Sequence, residues 1–416
     1  MTDAFVRRQL VTAALTANAI RPIPGSWPGI PAFFAGWLTA ELAPHLLAAT
    51  AVDTLGQVTR GRRNGHGLAL AAASAAGLAL LIRQSQAAKD DVDKALCEAL
   101  GDDYMDALSP APTKLDLSTP WRQLVMPFRM RDDEVEVIKD VAYSENGRRG
   151  LLDVYRRRGE PVHSAPVLLQ VHGGGWSIGD KDHQGIPLML HMASRGWVCV
   201  AINYRLSPRA AFPAQLVDVK RAIGWIREHA EDYGADRSYI AVTGGSAGGH
   251  LAALAALTPN DPEYQPGFED IDTSLQACIP HYGVYDLAAS TGTKSATQLR
   301  DRFLGPRILQ KDPATELADF ERASPLLRVN EGAPPFFVIH GEHDTLVPVT
   351  EARSFVHRLR EVSPKTVAYA ELPGTQHAFD VFPSIRSAHV VRAVDRFLRW
   401  QRSSFLSAPL GISGQA

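Results

Sequence analysis

The segment from residue 244 to residue 248 constrains the fold of this chain more than any other. It has the sequence Gly-Gly-Ser-Ala-Gly and lies between the apolar run 239–242 and the helix-like run 250–257. A Gly-x-Ser-x-Gly turn between a strand and a helix is typical of a nucleophile elbow, which holds its serine at strained backbone angles. Gly244 and Gly248 fit because a side chain at either position would collide with a neighbouring strand or helix. The pattern predicts that Ser246 projects as a nucleophile from the carboxyl end of a sheet.

A glycine loop upstream is the candidate oxyanion hole, the set of N–H donors that stabilises a developing alkoxide. The apolar run 166–171 predicts a buried strand, and it leads directly into His172-Gly173-Gly174-Gly175-Trp176. Without side chains in the way, the N–H groups of Gly174 and Gly175 can turn toward one point, where the N–H of Ala247 would join them. His172 is predicted to brace this loop. A merely flexible glycine loop is the alternative, and the ordered pair of strand-plus-motif segments argues against it.

A serine nucleophile also needs an acid and a histidine, which are expected after it in chain order. The apolar run 336–341 predicts a strand that leads into Glu342-His343-Asp344, before a new helix pattern. Asp344 is the candidate acid because it lies in the loop that leaves this strand. Capping of the following helix is the alternative role for Asp344. Two other carboxylates, Asp218 and Asp286, come too early relative to the last pair of strands.

His377 is the candidate base in a chain that contains 14 histidines. Residues 367–372 predict the next strand, and residues 373–379 form the loop that leaves it. From this loop, one ring nitrogen of His377 would face Ser246 while the other donates to Asp344, as a proton relay requires. Among the other candidates, His340 is predicted to be a core histidine because it lies inside an apolar strand. The rest are predicted to be structural or surface residues: His281, His343 and His357.

The segments between these motifs alternate strand-like and helix-like patterns. This alternation predicts an α/β fold, with a mostly parallel sheet covered by helices on both faces. Residues 135–144 and 151–157 flank Asn146-Gly147, a turn signal that predicts an antiparallel pair at the start of the sheet. Residues 287–325 predict a helical lid inserted between two strands of a catalytic part spanning residues 116–405. Residues 406–416 are expected to form a flexible tail.

From about residue 135 to residue 402, the chain resembles the hormone-sensitive-lipase-like esterases, called family IV in bacteria, of the α/β-hydrolase superfamily. The matching pieces are 172–176, 203–208, 212–214, 244–249, Asp344 and His377. The resemblance implies an α/β-hydrolase fold and hydrolysis of carboxylic esters by Ser246, Asp344 and His377, with no metal or organic cofactor. Many relatives have Asp or Thr where this chain has Gly245, so the substrate rules of subgroups carry over poorly.

The predicted function is that of a serine carboxylesterase or lipase acting on short- to medium-chain acyl esters, with a small-molecule or lipid ester as partner. Two alternatives stay open: an amidase or peptidase that uses the same triad, and a non-catalytic binding protein of the same fold. The net charge of −2 gives no reason to expect a nucleic-acid partner. The three cysteines have the spacing of neither a zinc site nor a disulfide framework: Cys97, Cys199 and Cys278.

Residues 1–115 predict a helical N-terminal extension that is rich in apolar residues. Residues 67–82 are uncharged and are flanked by arginines, but they are shorter than the about 20 residues of a membrane-spanning helix. The flanking arginines are Arg60, Arg62, Arg63 and Arg83. An earlier apolar segment, 30–52, is interrupted by Glu41, Pro44 and His45.

Three interpretations of this extension stay open: a helical pair packed on the catalytic part, an in-plane contact with a membrane surface, and a membrane hairpin. The short and interrupted runs favour the first two together. We expect contact with a membrane surface through residues 30–82, because the flanking arginines can engage anionic headgroups. The brief apolar run after Arg7 and Arg8 does not resemble a secretory signal, so a cytoplasmic or membrane-associated location is expected.

Overall fold

The computed structural model describes residues 4–23, 29–61, 64–159 and 164–407. Arg62, Arg63 and the tail beyond residue 407 lie outside these ranges. Within them, eight strands form one sheet in the order β1-β2-β4-β3-β5-β6-β7-β8. The strands are β1 (Val135–Ala142), β2 (Leu151–Arg157), β3 (Ala165–Val171), β4 (Val198–Ile202), β5 (Ala235–Gly245), β6 (Ala277–His281), β7 (Phe336–Gly341) and β8 (Val367–Leu372).

The described α-helices are numbered along the chain. They are α1 (Ala4–Ile20), α2 (Gly29–Glu41), α3 (Ala43–Thr59), α4 (Gly65–Leu100), α5 (Lys114–Leu117), α6 (Trp121–Leu124), α7 (Ile186–Ser194), α8 (Ala214–His229), α9 (Ala247–Leu257), α10 (Lys294–Leu299), α11 (Leu317–Arg322), α12 (Pro325–Arg328), α13 (Val349–Val362) and α14 (Ile385–Ser407). A π-helical segment, Arg300–Leu309, follows α10.

The sheet is mostly parallel, as predicted. The pairs β1–β2 and β2–β4 are antiparallel, and each contact among β3 to β8 is parallel. Parallel neighbours require crossover connections, which place helices on both faces of the sheet. The carboxyl ends of β5, β6, β7 and β8 therefore meet at one edge, where the loops that follow these strands carry the candidate site residues.

The alternation of side chains along the strands builds one hydrophobic core on each face of the sheet. In β7, Phe336 and Val338 pack with the core that includes α8 and α9, whereas Phe337 and Ile339 pack with the core that includes α7 and α14. All four side chains are fully buried. Complete burial of one such side chain contributes roughly 1.5–3 kcal/mol, so the strand beneath the candidate acid is firmly held on both sides.

The antiparallel pair at the start of the sheet forms as predicted, but its connection is not a tight two-residue turn. Strand β1 ends at Ala142, and the loop contains a 3₁₀ turn at Gly147–Gly150. A two-residue Asn-Gly turn needs positive φ at both residues, and Asn146 has φ −78°. Its side chain instead donates to Asp218 over 3.2 Å. This long-range hydrogen bond outweighs the local turn preference.

A helical insert lies between β6 and β7, in agreement with the predicted fold. It contains α10, the π-helical segment, α11 and α12. Its side chains reach the glycine loop, because a Cβ atom at Gly175 would lie 3.5 Å from the Phe303 ring. The insert therefore borders the edge of the sheet that carries the candidate site.

The N-terminal extension is helical and packs on the sheet domain. Along α4, buried residues recur at alternating spacings of four and three: Gly67, Ala71, Ser74, Leu78, Leu81, Ser85, Ala88, Val92 and Ala95. This spacing places them on one face of the helix. The first half of the face meets α1 closely, since a Cβ at Gly67 would lie 2.6 Å from Phe5. The second half joins the core beside α14.

Helix α2 is anchored to the sheet domain by a buried ion pair. The Glu41 carboxylate accepts a hydrogen bond from Ser384 over 2.6 Å and pairs with the fully buried Arg386. Burial raises the pKa of Glu41 and outweighs the lowering by Arg386. Trp37 packs on Phe382 at 5.6 Å between ring centroids. The acidic residue that interrupts the apolar segment 30–52 is thus a contact that holds α2 beside the site.

Candidate active site

Ser246 occupies a strained turn between β5 and α9. Its backbone has φ 58° and ψ −121°, a conformation that is unusual for a residue with a side chain. A Cβ atom at Gly248 would lie 2.1 Å from the carbonyl oxygen of Val171, and one at Gly244 would lie 2.6 Å from the same oxygen. Glycine is required at both positions because the backbone of β3 passes so close. This tight turn places Ser246 at the carboxyl edge of the sheet.

Asp344 and His377 form a direct pair in the loops after β7 and β8. His377 Nδ1 lies 2.6 Å from Asp344 Oδ2. The second carboxylate oxygen, Oδ1, accepts hydrogen bonds from the backbone N–H groups of Leu346 and Val347 over 2.9 and 2.8 Å. Asp344 and His377 are both buried. A carboxylate so fixed holds the imidazole in one tautomer, with Nε2 free to accept a proton.

The charge state of Asp344 suits this pairing. Burial by itself would raise the pKa of its carboxyl, but the electrostatic attraction to His377 and the hydrogen bonds from His340 and His377 outweigh burial and lower the pKa. His340 is fully buried, as predicted for a core histidine, and its Nε2 lies 2.9 Å from the Val347 carbonyl oxygen and 3.3 Å from Asp344 Oδ2. His340 therefore also borders the candidate acid.

Tyr282 contacts both His377 and Gly245, the residue before Ser246. Within the described residues, no hydrogen bond joins Ser246 Oγ to His377. The Tyr282 ring lies 4.5 Å from the His377 ring, centroid to centroid, and 2.7 Å from the place of a Cβ atom at Gly245. Catalytic hydrogen bonds are often long before substrate binds and tighten in the complex.

The glycine loop lies against the elbow. A Cβ atom at Gly173 would lie 3.3 Å from Ser246 Cβ, and the Gly173 N–H donates to Gln184 over 2.7 Å. Gly174 and Gly175 have φ 111° and 56°, which glycine adopts without steric cost. No acceptor for their N–H groups is found among the described residues. The Ala247 N–H opens α9, where a first-turn N–H has no partner within its helix.

His172 braces this loop through stacking and a backbone contact. Its ring stacks on Tyr204 with a centroid distance of 4.2 Å, and its Nδ1 lies 2.7 Å from the Gly173 carbonyl oxygen. The Tyr204 hydroxyl donates to the His172 carbonyl over 2.8 Å. Burial lowers the pKa of His172 to about 4. A neutral, enclosed imidazole of this kind supports the loop and is poorly suited to proton transfer.

The two early carboxylates lie in other networks. Asp218 is buried and pairs with Arg205 at 2.7 Å, and it also accepts from the Arg205 N–H. Asp286 accepts from the N–H groups of Ser290 and Thr291 over 2.8 and 2.9 Å. Neither carboxylate contacts His377 within the part of the chain that the structure describes.

Four residues near His377 escaped the sequence analysis as members of the site: Phe33, His281, Tyr282 and Asp380. The Phe33 ring of α2 meets the His377 ring edge-on at 6.1 Å. His281, predicted to be structural or surface, is buried and pairs with Asp380 at 2.6 Å. Asp380 comes three positions after His377, so chain proximity could have indicated it. Nothing in the local pattern around Phe33 connects it with a loop at the other end of the chain.

The sheet and the site together define a class of protein. The mostly parallel sheet begins with an antiparallel edge, the strained serine follows β5, and the Asp344–His377 pair joins the loops after β7 and β8. A sheet and site of this kind define an α/β-hydrolase. Among the described residues, no His, Cys, Asp or Glu side chains are grouped so that they could hold a metal ion.

Comparisons with known proteins agree with the assignment to the α/β-hydrolases. A family model described as BD-FAE matches residues 152–359. The chain is 44% identical over 398 residues to the probable carboxylic ester hydrolase LipM of Mycobacterium tuberculosis, and the alignment covers 93% of this chain and 91% of that protein. It is 41% identical over 368 residues to esterase LipQ of the same organism, covering 88% and 83%. The butyrate-bound esterase of Thermogutta terrifontis is similar in structure, with a TM-score of 0.55 and 27% identity over 68% of this chain and 98% of that chain.

The chain therefore belongs to the hormone-sensitive-lipase-like esterases, family IV, of the α/β-hydrolase superfamily. It is a carboxylic ester hydrolase.

Proposed function

We propose that this enzyme hydrolyses short- to medium-chain acyl esters through an acyl-enzyme formed on Ser246, with His377 as general base and Asp344 as its orienting acid. The observation that carries the proposal is the 2.6 Å contact between His377 Nδ1 and Asp344 Oδ2, at the same edge of the sheet as the strained Ser246. This pairing leaves His377 Nε2 to accept the Ser246 proton.

The first half of the reaction forms the acyl-enzyme. Ser246 Oγ attacks the ester carbonyl carbon while its proton passes to His377 Nε2. The carbonyl oxygen becomes an alkoxide, which the N–H groups of Gly174, Gly175 and Ala247 stabilise. The tetrahedral intermediate collapses, the bond to the alcohol oxygen breaks, and His377 gives its proton to the leaving alcohol.

The second half releases the acid. Water attacks the acyl carbon as His377 takes one of its protons, and the same N–H groups stabilise the new alkoxide. Collapse expels Ser246 Oγ, which regains its proton from His377. The buried Asp344 stays ionised throughout, because its lowered pKa favours the carboxylate.

Apolar side chains support an acyl ester as substrate. Phe33 of α2 stands beside His377, and Phe303 of the insert stands beside Gly175. These rings place apolar surface beside the proposed base and beside the glycine loop, which suits an apolar acyl group. The structure of the similar Thermogutta terrifontis esterase is butyrate-bound, which favours a short acyl chain here.

A series of p-nitrophenyl esters of increasing acyl length tests this substrate class, run beside matched anilides. We expect turnover of the esters with a maximum at short to medium chains, and little turnover of the anilides. Turnover of anilides alone would contradict the proposal and indicate an amidase with the same triad.

We also propose that residues 1–115 form an extension to a catalytic part spanning 116–405, and that residues 30–82 touch a membrane surface. On α2, the side chains of Ile30, Phe34 and Leu38 are exposed at spacings of four, on one face. Helix α4 is long and apolar enough to cross a membrane, and 28% of its most apolar window is buried. Its contacts with α1 and α14 favour a surface contact over a span, and thus a cytoplasmic or membrane-associated enzyme.

A further inference from the structure

Tyr282 is held against the candidate base by an unusual backbone. Its φ is +37°, in the left-handed region that a bulky residue rarely occupies. The residue is buried, and its ring is tilted by 56° to the His377 ring with centroids 4.5 Å apart. A cation within about 6 Å of an aromatic ring is attracted by the ring electrons. The ring is therefore close enough to interact with a charged His377.

A carboxylate fixes the other end of Tyr282. The Tyr282 hydroxyl donates to Asp380 Oδ1, while Asp380 Oδ2 lies 2.6 Å from His281 Nδ1. Burial by itself would raise the pKa of Asp380, but the positive charge of His281 and the hydrogen bonds from His281 and Tyr282 outweigh it and lower the pKa. Phe379 packs edge-on against the Tyr282 ring at 5.4 Å. The ring thus has a defined position rather than a choice of rotamers.

Gly245 makes room for this ring inside the elbow. A Cβ atom at residue 245 would lie 2.7 Å from Cε2 and from the hydroxyl of Tyr282. The space that a side chain at residue 245 would need is filled by Tyr282, which comes from the loop after β6. The glycine in the elbow and the strained tyrosine are two parts of one arrangement.

We propose that Tyr282, held by Asp380 and accommodated by Gly245, is a positioning residue that orients His377 and stabilises its imidazolium form during ester hydrolysis. This inference rests on the proposed role of His377 as general base. When His377 takes the Ser246 proton, the positive charge forms beside the Tyr282 ring. The hydrogen bond to Asp380 increases the electron density of the phenol, so the ring attracts the imidazolium more strongly.

Several other charged groups surround His377 and Tyr282. Asp344, in the loop after β7, pairs with His377, and His340 lies on the other side of Asp344. Asp380, in the loop after β8, pairs with His281 at the end of β6. From α2, Glu41 pairs with Arg386 of α14. Substitutions at residue 282 keep all of these groups, and of their hydrogen bonds they remove only the one from the Tyr282 hydroxyl to Asp380. Tyr282→Phe and Tyr282→Leu both lose that bond, so a difference between their pH profiles reports on the ring.

The test is the pH dependence of kcat and KM with p-nitrophenyl butyrate for the full chain, Tyr282→Leu and Tyr282→Phe. Tyr282→Leu is expected to lower kcat by roughly two- to thirtyfold, with little change in KM, the range of a cation–π contact. It is also expected to move the acidic limb of the kcat/KM profile to lower pH, because the imidazolium loses stabilisation. Tyr282→Phe keeps the ring and is expected to move both quantities less, in the same direction.

Tyr239→Leu is the matched control, since Tyr239 is a buried tyrosine within β5 that packs on Trp197 and Phe405. It is expected to lower the melting temperature without moving the acidic limb. An unmoved limb in Tyr282→Leu, or a loss confined to KM, would overturn the proposal. If Tyr282→Leu does not fold, Asp380→Asn and Tyr282→Phe decide the matter by the same limb.

A second measurement uses the contact between residues 245 and 282. Gly245→Ala is expected to displace the ring and to move the acidic limb as Tyr282→Leu does. The double variant should then be no worse than Tyr282→Leu alone, because both changes remove the same contact. Additive losses would overturn the coupling. His377→Ala separates the proposed role of Tyr282 from the proposed catalytic mechanism. If His377→Ala retains activity, the mechanism fails. If His377→Ala is inactive but the acidic limb is unmoved in Tyr282→Leu, only the role of Tyr282 fails.

Discussion

Ser246 and Asp344 are held at the site by different physical means. Ser246 keeps a strained backbone conformation because Gly244 and Gly248 on either side of it pack directly against the Val171 carbonyl oxygen. Asp344 is held by hydrogen bonds, with one oxygen on two backbone N–H groups and the other on His377. Close packing and polar contacts of this kind would keep the atoms of the proposed triad in place before substrate arrives.

Asp344→Asn tests the assignment of the acid. The amide keeps the size of the side chain but favours the wrong tautomer of His377, so kcat should fall on the order of 10⁴-fold. The matched control is Asp286→Asn, a carboxylate in the loop after β6 that bonds Ser290 and Thr291. Steady-state kinetics on folded protein should show a mild effect for Asp286→Asn. Equal losses in the two variants would place the acid elsewhere.

At the scale of the element, α9 links the glycine loop to the insert through a single histidine. His250 is buried, with Nδ1 accepting from Trp176 over 3.1 Å and Nε2 lying 2.8 Å from the Ala323 carbonyl oxygen. Both nitrogens are satisfied only when the imidazole is neutral. Burial lowers the pKa of His250 to about 4. Between about pH 6.5 and pH 4, His250 is therefore protonated in the unfolded state and neutral in the folded state.

His250→Gln tests this linkage. The wild type should lose about 2 kcal/mol of His250-linked stability between pH 7.5 and pH 5, since only the unfolded state is protonated there. Glutamine does not titrate, so the difference in the free energy of unfolding between wild type and variant should narrow toward acidic pH. Urea unfolding at the two pH values measures it. A constant difference would mean that the His250 imidazole is not kept neutral by the fold.

The ion pair between Glu41 and Arg386 fixes α2, so its loss should destabilise the fold. Glu41→Gln leaves Arg386 buried beside an uncharged partner, so the free energy of unfolding should fall by about 3 kcal/mol. Its control is Glu98→Gln, which breaks the exposed Lys94–Glu98 pair on α4 and should cost less than about 1 kcal/mol. Chemical denaturation measures both variants. A cost for Glu41→Gln as small as that of the control would show that α2 is held by its aromatic contacts instead.

For the whole molecule, the sequence predicted the sheet better than it predicted the surroundings of the site. The strands beneath Ser246, Asp344 and His377 are short apolar runs next to turn residues, and such local patterns are readable from sequence. The contact of Phe33 with His377, and that of Tyr282 with Gly245, depend on how separate elements pack. Local periodicity carries no information about either contact. The turn at Asn146 differed from its prediction for the same reason.

The proposed membrane contact is tested on the full-length protein by fractionation at low salt without detergent. A substantial share of the protein should sediment with membranes, and replacing Ile30, Phe34 and Leu38 together by Ser should release it with esterase activity retained. The matched control replaces two exposed leucines of the insert, Leu317 and Leu327, and should not change the distribution. Complete recovery of the unaltered protein in the soluble fraction would contradict the membrane contact.

The site at which an organophosphonate ester inhibitor attaches tests directly whether Ser246 is the nucleophile. Such a reagent phosphonylates an activated serine and stops turnover as the adduct forms. We expect one adduct per chain, on Ser246, with loss of p-nitrophenyl butyrate hydrolysis in proportion to labelling, and no adduct in Ser246→Ala, which should be inactive. Peptide mapping by mass spectrometry locates the adduct. An adduct on another residue would contradict the assignment of Ser246 as the nucleophile, and so would near-normal turnover by Ser246→Ala.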